Sequence, residues 1–147
     1  MNGLHFRLLP RPEELRLLRR TVREALSRRS LPEAEIDSAV LVIDEIVSNA
    51  IEHGRPYRDR DGSPHDLELH LWSEQKDLWI EFTDPDVPDA VVQRLARELA
   101  ECGGQLPPAQ SERGRGLYLV ASGLHHLSVK GLGVQGLQLR GRLVRGS

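Results

Sequence analysis

At 147 residues and 39% hydrophobic composition, the chain is sized for one domain around one core, and residues 1–147 read as a single unit. Its 20 Lys and Arg against 22 Asp and Glu leave a net charge of -2, which excludes a global positive field and argues against direct nucleic-acid binding. A single Cys102 excludes an internal disulfide, no His/Cys cluster has zinc spacing, and the short apolar pieces near the N-terminus are broken by Arg and Glu. Neither a signal peptide nor a membrane span is expected, and the setting expected is cytoplasmic.

Residues 5–9 read as a short first strand, closed by Pro10 and Pro12. Pro12-Glu13-Glu14 then opens a helix to about residue 28, with a proline at its start and acid in its first turn. Leu15, Leu18, Val22, Ala25 and Leu26 recur at helical spacing and leave an Arg-rich opposite face. Arg16, Arg19, Arg20 and Arg23 on that face are either solvated or a docking surface for an acidic partner. Leu31-Pro32 breaks the chain, and a second helix is predicted over residues 33–53, stopped by Gly54. Residues 55–64, with Gly and Pro, read as a loop.

Leu67, Leu69 and Leu71 alternate with polar neighbours, as do Leu78, Ile80 and Phe82, which predicts two antiparallel strands joined around residues 74–76. Trp72 and Trp79 fall on outward positions and read as cross-strand packing. Residues 90–101 have helical spacing, ended by Gly103-Gly104 and Pro107-Pro108. Another helix is expected from residue 116 to about 124, and short strands at residues 126–130 and 135–140. This order suits an α+β fold, a two-layer sandwich with helices packed on one face of a mixed, mainly antiparallel sheet.

Glu45 and Asn49 stand four residues apart on the second helix and project from one face, with His53 a further turn along. A carboxylate that accepts a proton beside an amide oxygen that ligates a hard cation suits magnesium-assisted phosphoryl transfer, although the wet face of an amphipathic helix has the same spacing. Phe82-Thr83-Asp84 brings a carboxylate to the end of a strand, where it can accept a hydrogen bond from an exocyclic amine. Gly114-Arg115-Gly116-Leu117 opens a helix, and glycines there let backbone N–H groups approach phosphate oxygens.

In this order the segments Asp44-Glu45-Ile46-Val47-Ser48-Asn49-Ala50-Ile51-Glu52-His53-Gly54, Glu81-Phe82-Thr83-Asp84 and Gly114-Arg115-Gly116-Leu117-Tyr118-Leu119-Val120 resemble the GHKL (histidine-kinase-like) ATPase superfamily over roughly residues 5–140. Within it, the small size and the Asn-Ala-x-x-His-Gly continuation resemble the serine-protein kinases that double as anti-sigma factors. The resemblance implies a Bergerat-type ATP-binding fold, with ATP and Mg2+ as cofactors. It implies Glu45 as the general base, Asn49 as a magnesium ligand, and Asp84 as the acceptor for the adenine amine. Gly114, Arg115, Gly116 and Leu117 would lie by the phosphates, and His53 and Gly54 would close the nucleotide-side end of the helix.

The function implied is an ATP-dependent serine-protein kinase, an anti-sigma factor that binds a sigma factor and phosphorylates a small anti-sigma-factor antagonist in a partner switch. Dimeric relatives imply a homodimer. One departure stands out: the first glycine box of the family runs Asp-x-Gly-x-Gly, whereas this chain reads Asp84-Pro85-Asp86-Val87-Pro88-Asp89. Proline fixes φ and the added carboxylate brings negative charge, which weakens the expected grip on a polyphosphate. Relatives often have Gly-Thr where this chain has Gly136-Leu137. The alternative is therefore a non-catalytic binding module of the same fold, acting by protein-protein contact with weak or no ATP turnover. A histidine-kinase catalytic portion is a third reading, disfavoured because the chain has no room for a phosphoacceptor hairpin.

Overall fold

A computed structural model of the chain describes residues 3–58, 65–101 and 124–143. Its elements run β1 (Leu4–Leu8), α1 (Pro12–Arg28), α2 (Glu33–Arg58), β2 (Leu67–Glu74), β3 (Asp77–Pro88), α3 (Asp89–Glu101), β4 (Leu124–Gly131) and β5 (Gln135–Leu143). The strands form one five-stranded sheet in the order β1-β2-β3-β5-β4. All of its pairings are antiparallel, so the sheet expected to be mixed is antiparallel throughout the described strands. The α+β, two-layer expectation is met.

Alternation sets the two faces of the sheet. Leu67, Leu69 and Leu71, then Leu78, Ile80 and Phe82, then Leu137, Leu139 and Leu143 are buried in one cluster with Leu15, Leu18, Val22 and Leu26 of α1, Ile43, Ile46 and Val47 of α2, and Val92 and Leu95 of α3. The helices therefore cover a single face, as the period-2 and period-3.6 patterns require. On the other face, which none of the described helices covers, Trp72 and Trp79 pair across β2 and β3. Their rings stack with centroids 6.1 Å apart, and the Arg140 guanidinium lies 5.5 Å from the Trp72 ring. A shallow pocket of about 490 Å³ opens on this face, lined by residues that include His5, Arg7, Glu68, His70, Glu81 and Gln138.

Chain reversals follow local chemistry. Gln75 and Lys76 both adopt positive φ, 52° and 70°, between the paired residues Glu74 and Asp77. Two left-handed residues match the right-handed twist of a two-residue hairpin. α1 ends with Ser30 at φ 61°, the Leu31 N–H donating to the Leu26 carbonyl (3.4 Å) and the Ser30 N–H to the Ser27 carbonyl (3.0 Å). This Schellman closure uses serine where glycine is usual. Two of the arginines weighed above as a docking face hold α1 to α2: Arg19 pairs with Asp44 (2.6 Å), and Arg23 with Asp37 (2.8 Å) and Glu33 (3.1 Å).

Among the element boundaries that depart from the sequence reading, two bear on the site. α2 does not stop at Gly54 but continues through Pro56 to Arg58. Glycine and proline oppose a helix interior by about 1 and 3 kcal/mol relative to alanine, so the added turn must be held by tertiary contacts. β3 does not end at Asp84 but reaches Pro88, with a bulge between the Asp84–Leu137 and Pro88–Gln135 pairs. The bulge accommodates the proline-interrupted run Pro85-Asp86-Val87, since proline cannot donate to the ladder. The strand expected to start at residue 126 begins at Leu124, where the notional preceding helix was to end; residues 116–123 of that helix lie outside the described residues.

Candidate functional site

The site forms where the C-terminal half of α2 meets the far end of β3. Apolar residues Ile43, Ile46, Val47 and Ala50 fix the rotation of α2 against the sheet. That rotation leaves Glu45 and Asn49 half-buried on an adjoining flank and His53 exposed. On β3 the inward register that buries Leu78, Ile80 and Phe82 also buries Asp84, which is 0% exposed. A carboxylate at such a position needs compensation.

Arg58 supplies it. Its Nη1 donates to Asp84 Oδ1 (3.0 Å) and to Asp86 Oδ2 (3.0 Å), and its Nη2 donates to Asp84 Oδ2 (2.7 Å) and to the Ala50 carbonyl (2.8 Å). The Asp86 N–H also donates to Asp84 Oδ1 (3.1 Å), and His65 Nδ1 lies 2.5 Å from Asp86 Oδ1. Asp86 and Arg58 are 6% and 8% exposed, so both carboxylates and the guanidinium form a nearly solvent-free cluster. Burial, the largest single influence, disfavours the Arg58 charge, but the hydrogen bonds and charges of Asp84, and then Asp86, outweigh it and raise the pKa above the ordinary value. The planar guanidinium fork meets the Asp84 carboxylate in two parallel bonds. Arg58 Nε finds no partner among the described residues.

Gly54 makes this closure possible. A Cβ at that position would collide with the Arg58 guanidinium, coming within 2.8 Å of Cζ and 2.9 Å of Nε. The glycine expected to end the helix instead gives Arg58 room to fold back over its own backbone toward β3.

The structure thus brings Asp84 against α2 one residue beyond Asn49, through the Ala50 carbonyl and Arg58. Gly114, Arg115, Gly116 and Leu117 lie outside the described residues. Among the described residues no group of three or more His, Cys, Asp or Glu side chains is arranged to hold a metal ion, and no helix is long and apolar enough to cross a membrane. The pocket on the opposite face of the sheet is remote from this chemistry, because its Glu81 and Thr83 point away from the side to which Phe82 and Asp84 turn. Sequence reasoning did not find Arg58, whose role depends on residues 26 and 28 positions away. Asp86 was visible only as a departure from a glycine.

Comparison with known proteins is decisive for the family. The model of the histidine kinase-like ATPase domain matches residues 8–142. The chain belongs to the histidine kinase-like ATPase family. A solved structure, the SiaB-SiaC complex from Pseudomonas aeruginosa, contains a chain similar to this ATPase-family domain with a TM-score of 0.66 at 15% identity, covering 95% of this chain and 88% of that one. At that identity the likeness is one of fold. No curated protein matches this member of the family.

As a test of fit to a nucleotide, Asp84 has the right chemistry for a base amine and is buried where water cannot compete, and Glu45 and Asn49 offer a carboxylate and an amide oxygen from the adjacent helix. In chemistry these residues fit the group, but both Asp84 oxygens are already bonded, Oδ1 by Arg58 Nη1 and the Asp86 N–H and Oδ2 by Arg58 Nη2.

Proposed function

We infer that this domain is an ATP- and Mg2+-dependent serine-protein kinase that also acts as an anti-sigma factor, binding a sigma factor and phosphorylating a small antagonist. The observation that carries this reading is the burial of Asp84 directly beside the helix bearing Glu45 and Asn49. ATP, when bound, supplies the phosphoryl group. Asp84 would accept the base amine, and Asn49 would offer its amide oxygen to magnesium. Glu45 would orient the serine hydroxyl of the antagonist and take its proton, a role open to a half-buried carboxylate that keeps one side to solvent. Because phosphoryl transfer asks little covalent work of a protein, positioning and charge neutralisation supply most of the catalysis. The unphosphorylated antagonist would compete with the sigma factor for the domain, which would work as a homodimer, and phosphorylation would end that competition.

A second reading has one observation in its favour. In the Arg58–Asp84–Asp86 cluster both carboxylates are paired within the chain, as expected of a binding module that keeps the fold and has lost nucleotide turnover.

The experiment is transfer of labelled phosphate from ATP to a purified candidate antagonist, with alanine at the acceptor serine as the control. Glu45→Gln keeps size and hydrogen bonding but removes basicity, and should lower transfer by about 10²–10⁴-fold while sparing nucleotide and partner binding. If the parent protein binds the antagonist yet transfers no phosphate at saturating ATP and magnesium, the kinase reading fails and the module replaces it.

A further inference from the structure

We propose that Arg58 is an internal competitor for the base pocket: its guanidinium occupies the Asp84 edge assigned above to the adenine amine, so that the Arg58–Asp84 pair and bound nucleotide exclude each other. This rests on the nucleotide reading of the site. Three features carry it.

The first is geometry. Arg58 takes both Asp84 oxygens, at 3.0 and 2.7 Å, and the Asp86 N–H takes Oδ1 a second time at 3.1 Å, so three of the four acceptor positions of the carboxylate are filled; with Asp84 0% exposed beneath the guanidinium, a base reaches it only when Arg58 leaves. The second is the turn that carries Arg58. It contains Gly54 and Pro56, the two weakest helix formers, and proline cannot return a hydrogen bond to the carbonyl one turn back. The turn can therefore unwind with little loss of backbone bonding, taking Arg58 with it, while α2 keeps its packing up to Ile51. The third is Asp86, which stands where the family has glycine. It shares Arg58 Nη1 with Asp84, adding a second anchor for the closed state. The proline-and-aspartate departure after Asp84 is thus the receptor half of the closure rather than a degraded phosphate loop. Ligand and closure then compete as two states of one equilibrium, and the apparent affinity for ATP is reduced by the fraction of molecules in which Arg58 is released.

The test is calorimetric titration of ATP with magnesium into the full chain and two variants. Arg58→Met combined with Asp86→Asn removes the competitor without leaving two buried carboxylates facing each other. Gly54→Ala keeps every charge and instead fills the space the guanidinium needs; it carries the test if the double variant does not fold. The expected result is ATP binding at least about tenfold tighter than in the parent, since removing the closed state restores the competent fraction. In the 15N-labelled parent, the buried Arg58 Nε–H should give a side-chain resonance protected from solvent exchange, and saturating ATP should abolish that protection.

Equal affinities for parent and variant, weaker binding by the variant, or an Arg58 resonance that stays protected at saturating ATP would each overturn the competition while leaving the nucleotide reading in place. Absence of ATP binding by the parent and by a folded, released variant alike would overturn the nucleotide reading, and the competition with it.

Discussion

Asp84→Asn is the substitution that tests most directly whether the buried cluster holds the fold together. Asparagine matches aspartate in shape, so packing around Phe82 and Val87 is kept and the change is almost purely electrostatic. Arg58 now faces one carbonyl oxygen and one NH2 group, and of its two bonds to Asp84, at 3.0 and 2.7 Å, one becomes a donor-to-donor contact. Breaking a buried ion pair costs about 3–5 kcal/mol because a charge is left uncompensated. Here Asp86 at 3.0 Å and the Ala50 carbonyl at 2.8 Å still hold the guanidinium, which places the loss near the lower end, about 3 kcal/mol. For a domain of this size each kcal/mol shifts the Tm by about 2–4 °C, so the melting point should fall by roughly 6–12 °C. Urea denaturation followed by circular dichroism, without nucleotide, should show a lower midpoint at unchanged m-value. A double-mutant cycle with Arg58→Met should show coupling well above the value of less than about 1 kcal/mol found for exposed pairs. A loss under about 1 kcal/mol, or no coupling, would mean that the cluster is solvated and that the account of Arg58 as its buried keystone is wrong.

Two further predictions concern stability away from the cluster. His70, stacked on His5 at 4.0 Å and close to Trp72, has its pKa lowered, first by burial and then by the charge of His5 and, less, Arg140, with Glu81 opposing. The unfolded chain therefore holds the extra proton between that lowered value and the ordinary value of about 6.5, so stability should be lost as pH falls through this window and regained as it rises. His70→Phe keeps a ring in the stack and should flatten the dependence of the urea midpoint on pH just below the ordinary histidine value of about 6.5; an unchanged slope would assign it to other groups. Ser30→Gly relieves a left-handed serine worth about 1–2 kcal/mol but frees the unfolded chain by somewhat less, so a net gain of about 0.5–1 kcal/mol is expected in the same denaturation assay. A loss would show that the Ser30 side chain contributes more than its backbone strain costs.

Elements whose signals are local and periodic could be read directly along the chain. Leu67, Leu69 and Leu71 could only line one face of a strand, and Leu15, Leu18, Val22 and Leu26 one side of a helix, so the α+β class and the covered face were legible in the spacing alone. The row of Glu45, Asn49 and His53, and Asp84 as a carboxylate on an apolar strand, were legible for the same reason. What those groups face was set by how the elements pack in space. Gly54 and Pro56 signal a helix end locally, yet α2 runs on to Arg58 because contacts with Asp84 and Asp86 across the cluster outweigh the propensity against it. Arg19 and Arg23 had the spacing of a free basic face, but the packing of α1 on α2 sets Asp44 and Asp37 within reach. Periodicity reports which residues leave water; which buried charge meets which depends on how elements cross in space, and no spacing along the chain encodes a bond between residues 26 positions apart.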